Sequence, residues 1–225
     1  MIHASEQSAV PSQDVLVTLL HSLSQPLTAL HLSLELSASQ DPEASAVVSA
    51  ALEQTDRVIE IIRLMREYLD SEQQGAAAQF VPVATAVQEV LEELSVAASA
   101  RDTTLLASLR SAVAIAVPGF WLHRALHYLI GSLVEDAPFQ GTIVVLLEDR
   151  TRDCLLSMHT LPGGVPANRR PQRTAGSDTL RQVRLAIARR ALEAGGASLE
   201  PYGAENPGFL ISIPPSEPQI SQLFV

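Results

Sequence analysis

The sequence predicts an α+β protein, in which an N-terminal antiparallel helical hairpin precedes a mixed α/β sandwich. Residues 12–72 contain two apolar repeats with heptad spacing, which is typical of paired long helices. Beyond residue 80, helical patterns alternate with short apolar runs that favour strands. Charge is also distributed unevenly along the chain. Residues 1–80 contain 3 arginines and 11 acidic residues, and residues 81–225 contain 12 arginines and 14 acidic residues. This asymmetry indicates two modules.

The first helix is predicted to begin near Ser12 or Asp14, both good N-cap residues, and to end before residue 37. Its apolar seam consists of Leu16, Leu20, Leu23, Leu27, Leu30 and Leu34. Pro26 lies inside this repeat and cannot donate to the carbonyl of Ser22, which costs about 3 kcal/mol. We therefore expect the helix to bend at Pro26.

The second helix is predicted over residues 43–71, after a turn at Asp41 and Pro42. Its apolar positions also follow heptad spacing: Val48, Ala51, Thr55, Val58, Ile62, Met65 and Leu69. One hairpin cannot cover both apolar stripes, whereas two hairpins can do so as a four-helix bundle. The sequence thus predicts a homodimer built by residues 12–72, within a hairpin domain of residues 12–74.

The second module is predicted over residues 80–214, after a linker of small residues at 75–80. Its predicted elements, in order, are a helix at 83–100, strands at 103–109 and 112–117, a helix at 119–135, strands at 142–148 and 154–159, a loop at 161–178, a helix at 180–194, and strands at 197–201 and 208–213. This order favours helices on one face of a largely antiparallel sheet.

Composition excludes several classes of function. All 15 basic residues are arginine and the net charge is −10, which argues against nucleic-acid binding. The arginine-rich segment 169–190 is either a solvated surface or a contact for an acidic partner. A single cysteine, Cys154, excludes an internal disulfide and suits a reducing cytoplasm. With no apolar run of membrane-spanning length and no secretory signal, we expect a cytoplasmic protein with no membrane association.

His21 follows the seam residue Leu20, so its side chain is predicted to point away from the helix contact. Taken alone, such a residue is an ordinary surface histidine. The stretch HSLSQPLTALHLSLEL, however, resembles the phospho-acceptor box of sensor histidine kinases, H-E-L-x-x-P-L-x-x-I. The resemblance implies that His21 accepts a phosphoryl group. The acid that follows the histidine in the family is Ser22 here, and serine is a poor base, so self-phosphorylation from ATP is not expected.

Residues 80–214 resemble the ATP-binding domain of the same kinases, most closely in LRQVRLAIARRALEAGGASLE and the following GFLISIP. The resemblance places the two asparagines that hold Mg²⁺ and phosphate at Tyr128 and Ser132. It places the Asp-x-Gly-x-Gly motif, whose acid reads adenine, near Thr160, Pro162 and Gly164. It places glycines of the phosphate loop at Gln182 and Arg184. Apart from Gly164, none of these residues supplies the expected group. The resemblance therefore implies a degenerate domain with no metal or cofactor of its own.

Together, these features predict a histidine phosphotransferase similar to the ChpT type. Reversible transfer would link His21 to aspartates of response-regulator receiver domains, which supply their own Mg²⁺. Ser22, Ser24, Gln25 and Thr28 are predicted to border the receiver, and a sensor kinase is a further candidate partner. Two alternatives remain: a non-catalytic pseudokinase or adaptor that binds a response regulator or kinase, and a divergent active histidine kinase.

The other histidines and two aromatic residues suggest structural roles. His123 and His127 lie at helical spacing and could form a zinc pair, but no third ligand is near in sequence. They are expected on the surface or half-buried, and His31 is expected to be a spectator. Phe120 and Trp121 are expected in the core.

Overall fold

A computed structural model describes residues 12–37, 44–70, 79–163, 175–202 and 207–215. Five helices and seven strands lie within these ranges: α1 Ser12–Ser37, α2 Ala44–Asp70, β1 Gln79–Pro82, α3 Val83–Ser99, β2 Thr104–Leu109, β3 Ala114–Val117, α4 Gly119–Asp136, β4 Thr142–Asp149, β5 Cys154–Leu161, α5 Ala175–Ala194, β6 Ser198–Tyr202 and β7 Gly208–Ile213. The chain divides into two compact units. One contains α1, α2 and the first part of α5, and the other contains the remaining elements. The domain ranges 12–74 and 80–214 stay predictions.

In the first unit, α1 and α2 pack against each other, and both begin and end within a residue or two of their predicted bounds. Helix α1 continues through Pro26, which is buried. Ser24 Oγ donates to the Leu20 carbonyl and Thr28 Oγ1 donates to the Ser24 carbonyl, both at 2.9 Å. Side-chain bonds of this i−4 type often bend helices. The bend at Pro26 nevertheless stays a prediction.

The apolar surface of the hairpin is wider than one seam. Leu20 and Leu27, both predicted seam residues, are 53% and 45% exposed. On α2, the side chains of Ile61, Leu64 and Tyr68 are buried. A second set of apolar side chains on both helices is exposed, and we call it the exposed stripe: Leu20, Leu27, Val48, Leu52, Ile59, Ile62 and Leu69. The described residues thus leave a long apolar stripe uncovered.

The second unit contains a five-stranded sheet of order β2-β4-β5-β7-β6, and a separate antiparallel pair of β1 and β3. Among the described strands, β2 and β4 are the one parallel pair, because the chain between them crosses over through β3 and α4. The observed elements confirm the predicted α/β sandwich with a largely antiparallel sheet. Among the described helices, none is both long enough and apolar enough to cross a membrane.

The core of the second unit is built from alternating strand residues and from one face of α4. Strand β4 buries every second side chain, at Ile143, Val145 and Leu147. Helix α4, which packs against α3, buries apolar side chains at helical spacing: Leu122, Leu126, Leu129 and Leu133. Both periodicities match the secondary structure in which they occur. The sheet and α4 therefore form a fixed frame for the residues described below.

Three predictions differ from the structure. Strand β1 (Gln79–Pro82) includes the end of the predicted linker and exists through its pairing with β3. Helix α5 begins at Ala175 rather than at residue 180, and residues 164–174 of the predicted loop lie outside the described residues. Phe120 is 59% exposed instead of buried, because it lies in the first turn of α4, where the side chain has few neighbours. Trp121, its edge-to-face neighbour, is half-buried.

Two glycines provide a matched test of the packing. Gly208 in β7 is paired with both His159 and Tyr202, whose rings stack at 4.9 Å. An added Cβ there would meet the Met158 carbonyl and lie 2.8 Å from His159 Cβ, whereas one at Gly131 in α4 meets nothing within 4 Å. Gly208→Ala should lower the free energy of unfolding by about 1–3 kcal/mol. Gly131→Ala should raise it by about 0.5–1 kcal/mol. Urea unfolding of both variants checks this, and equal shifts would contradict the packing at Gly208.

Candidate functional site

His21 lies on α1 with its side chain exposed. The preceding residue, Leu20, belongs to the exposed stripe, and the following residue, Ser22, is buried. Because α1 is long and packed along α2, it holds the imidazole on a regular helix rather than on a loop. The outward orientation expected from the sequence is present. The role of His21 as a phospho-acceptor stays a prediction.

Three of the four predicted partner-binding residues share the exposed surface of His21. Ser24, Gln25 and Thr28 follow it by three, four and seven residues, so they lie on the same side of α1, and all three are exposed. Ser22 is different: it is only 9% exposed, because one residue rotates the side chain by about 100° toward the buried side. The prediction that Ser22 borders the docked receiver is therefore wrong.

Tyr128 and Ser132, where the resemblance places the Mg²⁺ and phosphate ligands, have buried side chains that contact other residues of the chain. Tyr128 is 5% exposed, and the buried Ser132 donates its hydroxyl hydrogen to the Leu129 carbonyl at 2.8 Å. The Arg124 guanidinium lies over the Phe120 ring at 5.2 Å and over the Tyr128 ring at 5.7 Å, as in cation–π contacts. An octahedral Mg²⁺ shell needs several open oxygen ligands, and these two residues do not fit it.

Thr160 stands where the resemblance places the acid that reads adenine. It is buried in β5, and its N–H and Oγ1 both donate to the Pro207 carbonyl, at 3.1 and 3.2 Å. Thr160 therefore offers no carboxylate, and its hydroxyl hydrogen is already used. Two residues farther on, Pro162 is exposed.

Arg184 stands at one of the two positions where the resemblance places glycines of the phosphate loop. It forms an ion pair that joins α5 to the end of α4. Arg184 Nη1 lies 3.3 Å from Glu135 Oε1, and Arg101 donates to the Glu135 carbonyl at 2.8 Å. The pair is partly exposed, so it contributes only about 0–1 kcal/mol to stability. Gln182, the other expected glycine position, is exposed. Neither side chain is small enough for a glycine-rich phosphate loop, so these residues do not fit a normal ATP site.

The remaining histidines contact residues of the second unit or are exposed. His123 Nε2 lies 3.2 Å from Glu93 Oε1, and the His127 ring meets the edge of the Tyr128 ring at 6.4 Å. His31 is exposed on α1. Within the described ranges, no group of three or more His, Cys, Asp or Glu side chains could hold a metal ion. The considered zinc pair of His123 and His127 thus has no third ligand among them.

Cys154 is a free, buried cysteine at the start of β5. Burial raises the pKa of its thiol, and the neighbouring carboxylates of Asp149 and Asp153 raise it further, against a hydrogen bond with Ser111 that lowers it. Because the thiolate is the reactive form, Cys154 is a poor nucleophile at neutral pH. This leaves the exposed imidazole of His21 as the better candidate acceptor.

Comparisons with known proteins find the fold but not the family, since no family model and no curated protein matches the chain. Histidine kinase AdeS of Acinetobacter baumannii superposes with a TM-score of 0.65 at 16% identity, covering 88% of this chain and 98% of AdeS. Histidine kinase ThkA, in complex with the response regulator TrrA, gives 0.68 at 12% identity over 90% of this chain. Full-length ShkA with AMPPNP gives 0.54 at 17% identity over 92%. The chain spans 61% of the ThkA chain and 46% of the ShkA chain. It has the fold of histidine kinases.

Proposed function

We propose that this protein is a histidine phosphotransferase of two-component signalling. It moves a phosphoryl group reversibly between His21 and an aspartate of a receiver domain, and it does not phosphorylate itself from ATP. One combined observation supports this: His21 is exposed on a helical hairpin, while Tyr128, Ser132 and Thr160 occupy the expected nucleotide positions with buried side chains. In pairing a helical hairpin with a degenerate kinase-like domain, the chain resembles the ChpT type of phosphotransferase.

The chemistry needs little more than the imidazole. A neutral ring nitrogen of His21 attacks the phosphorus of the aspartyl phosphate, a P–N bond forms, and the P–O bond to the carboxylate breaks. The carboxylate leaves with the electron pair, and the proton on the other ring nitrogen passes to solvent. The receiver brings the Mg²⁺ that neutralises the phosphoryl oxygens. In this proposal, the chain itself contributes an oriented imidazole and a surface for docking.

A homodimer is part of the proposal because of the exposed stripe. Its members recur at heptad spacing along α2 and are apolar, whereas monomeric proteins rarely leave such a continuous apolar surface open. A second hairpin placed against the stripe would complete a four-helix bundle. The bundle would leave His21 accessible, since His21 lies on a different side of α1 from Leu20 and Leu27.

The receiver domain as partner is supported by a neighbour in structure. ThkA has been solved in complex with the response regulator TrrA, and this chain shares the ThkA fold. On this chain, exposed Ser24, Gln25 and Thr28 surround His21 and are accessible to such a partner. Ser22, which is buried, is not.

The proposal is tested by mixing the purified chain with receivers phosphorylated by acetyl phosphate. We expect acid-labile phosphate on His21 within minutes, and none after incubation with labelled ATP and Mg²⁺ alone. Label on His21 from ATP alone would instead show a divergent kinase. Stable binding of receivers without any transfer would favour the adaptor or pseudokinase. Mass spectrometry of the labelled peptide identifies the modified residue.

A further inference from the structure

Over residues 20–32, where the structure describes the side chains of α1, the exposed side around His21 carries no formally charged side chain. Five exposed residues form this surface, which we call the neutral face: His21, Ser24, Gln25, Thr28 and Leu32. None of them is Asp, Glu, Lys or Arg. Leu20 and Leu27 of the exposed stripe lie about a third of a turn around the helix from His21. A second copy on the stripe and a partner on the neutral face can therefore be bound together.

Helix α2, unlike the described part of α1, carries many charged side chains. Its described side chains include seven charged ones: Glu53, Asp56, Arg57, Glu60, Arg63, Arg66 and Glu67. Some of these pair with each other, since Arg63 lies 3.1 Å from Glu67 and 3.7 Å from Glu60. Over residues 20–32 of α1 and the described side chains of α2, all formal charge therefore lies on α2.

The two hydroxyl groups of the neutral face have a defined hydrogen-bond direction. Ser24 donates its hydroxyl hydrogen to the Leu20 carbonyl, and Thr28 donates its own to the Ser24 carbonyl. A hydroxyl group has one hydrogen and two acceptor sites. Each oxygen can therefore accept a hydrogen bond from a partner but has no second hydrogen to donate. A partner that bonds to these two hydroxyl groups must therefore supply hydrogen-bond donors.

From this we propose, on the basis of the proposed function, that the receiver docks on the neutral face through an uncharged surface that donates hydrogen bonds to Ser24 and Thr28. A charged group on the partner would lose its hydration against this face without gaining an opposite charge. Specificity then comes from shape and from the direction of hydrogen bonds rather than from ion pairs. Without charge steering, association depends little on ionic strength.

Salt dependence separates this inference from the proposed function. A receiver phosphorylated with acetyl phosphate is mixed with the chain below saturation, at roughly 50 mM and roughly 500 mM NaCl, and the transfer rate is measured. We expect the two rates to agree within about twofold. Transfer that falls tenfold or more would overturn the neutral docking surface while leaving the phosphotransferase intact. Absence of transfer at both salt concentrations would overturn the proposed function itself, and the inference with it.

Substitutions at Thr28 test the hydrogen-bond direction. Thr28→Val keeps the shape but removes the acceptor, and it should slow transfer roughly three- to tenfold. Thr28→Ser keeps the acceptor and should transfer within about twofold of the wild-type rate. The control is Thr85→Val on α3, because Thr85 is also an exposed threonine on a helix but lies in the other unit.

Two results would overturn the inference at this point. One is a Thr28→Val rate equal to that of the wild type, and the other is equal slowing by Thr28→Val and Thr85→Val. Thr28→Lys places a charge on the neutral face and should slow transfer more than Thr28→Val does. A faster rate for Thr28→Lys would show that the partner presents an acidic surface. Circular dichroism of each variant confirms that the helices are retained.

Discussion

His21→Gln is expected to remove transferable phosphate from this chain while leaving its fold intact. Glutamine is polar and of similar length, but its amide is not a nucleophile, so the loss of transfer should exceed about 1000-fold. His21 is exposed, and exposed substitutions of this kind usually change stability by less than about 0.5 kcal/mol. The measurement is the amount of acid-labile phosphate after mixing with a phosphorylated receiver, beside urea unfolding of the same preparation.

His31→Gln is the matched control, because His31 is exposed on the same helix about ten residues farther on. It should transfer at the wild-type rate. Phosphate that persists on the His21→Gln variant would place the acceptor elsewhere in the chain. A variant that loses phosphate but still supports the signalling output in cells would favour the adaptor, since only binding would then matter.

Ile59→Glu is expected to convert the proposed dimer into a monomer. Ile59 is 59% exposed and lies in the middle of the exposed stripe on α2. In a two-fold dimer, one substitution introduces two carboxylates into the contact, and each buried ion costs several kcal/mol. The dissociation constant should therefore rise by more than about 1000-fold. Light scattering at micromolar concentration would show the mass fall by half.

Val96→Glu controls for a new charge at an exposed apolar residue. Val96 lies on α3 in the other unit, is 78% exposed and is not part of the stripe, so this variant should keep the wild-type mass. A wild-type chain that is monomeric at all concentrations would contradict the dimer. An Ile59→Glu chain that stays dimeric would place the contact on a different surface.

The long helices were predictable because their signal is local and repeated. Heptad-spaced apolar residues and the capping and turn residues were enough to predict α1 and α2 to within a residue or two, and the apolar pattern of α4 was enough to predict that helix. Strand β1 has only four residues and no burial alternation, and it depends on pairing with β3, more than 30 residues away. Such a pairing leaves no periodic pattern in the strand itself.

The candidate site also combines features that could be predicted from the sequence with features that could not. His21 could be predicted as exposed because it follows Leu20 in a heptad repeat. The burial of Ser22 could not, because it depends on which neighbours pack beside α1. Similarly, Tyr128 and Ser132 could be recognised as unsuitable metal ligands from their chemistry. The contact of Tyr128 with Arg124 and the hydrogen bond of Ser132 to the Leu129 carbonyl became visible only in the folded chain.

Local patterns in the amino-acid chain were therefore sufficient to predict the hairpin, the order of elements in the sandwich apart from β1, and the exposed imidazole on α1. These features depend on spacing within a few turns of helix or a few residues of strand. The folded structure was needed to show which apolar residues stay uncovered, and that Thr160 and Arg184 bond to Pro207 and Glu135. Those contacts join residues nearly 50 positions apart, and only packing in three dimensions brings such residues together.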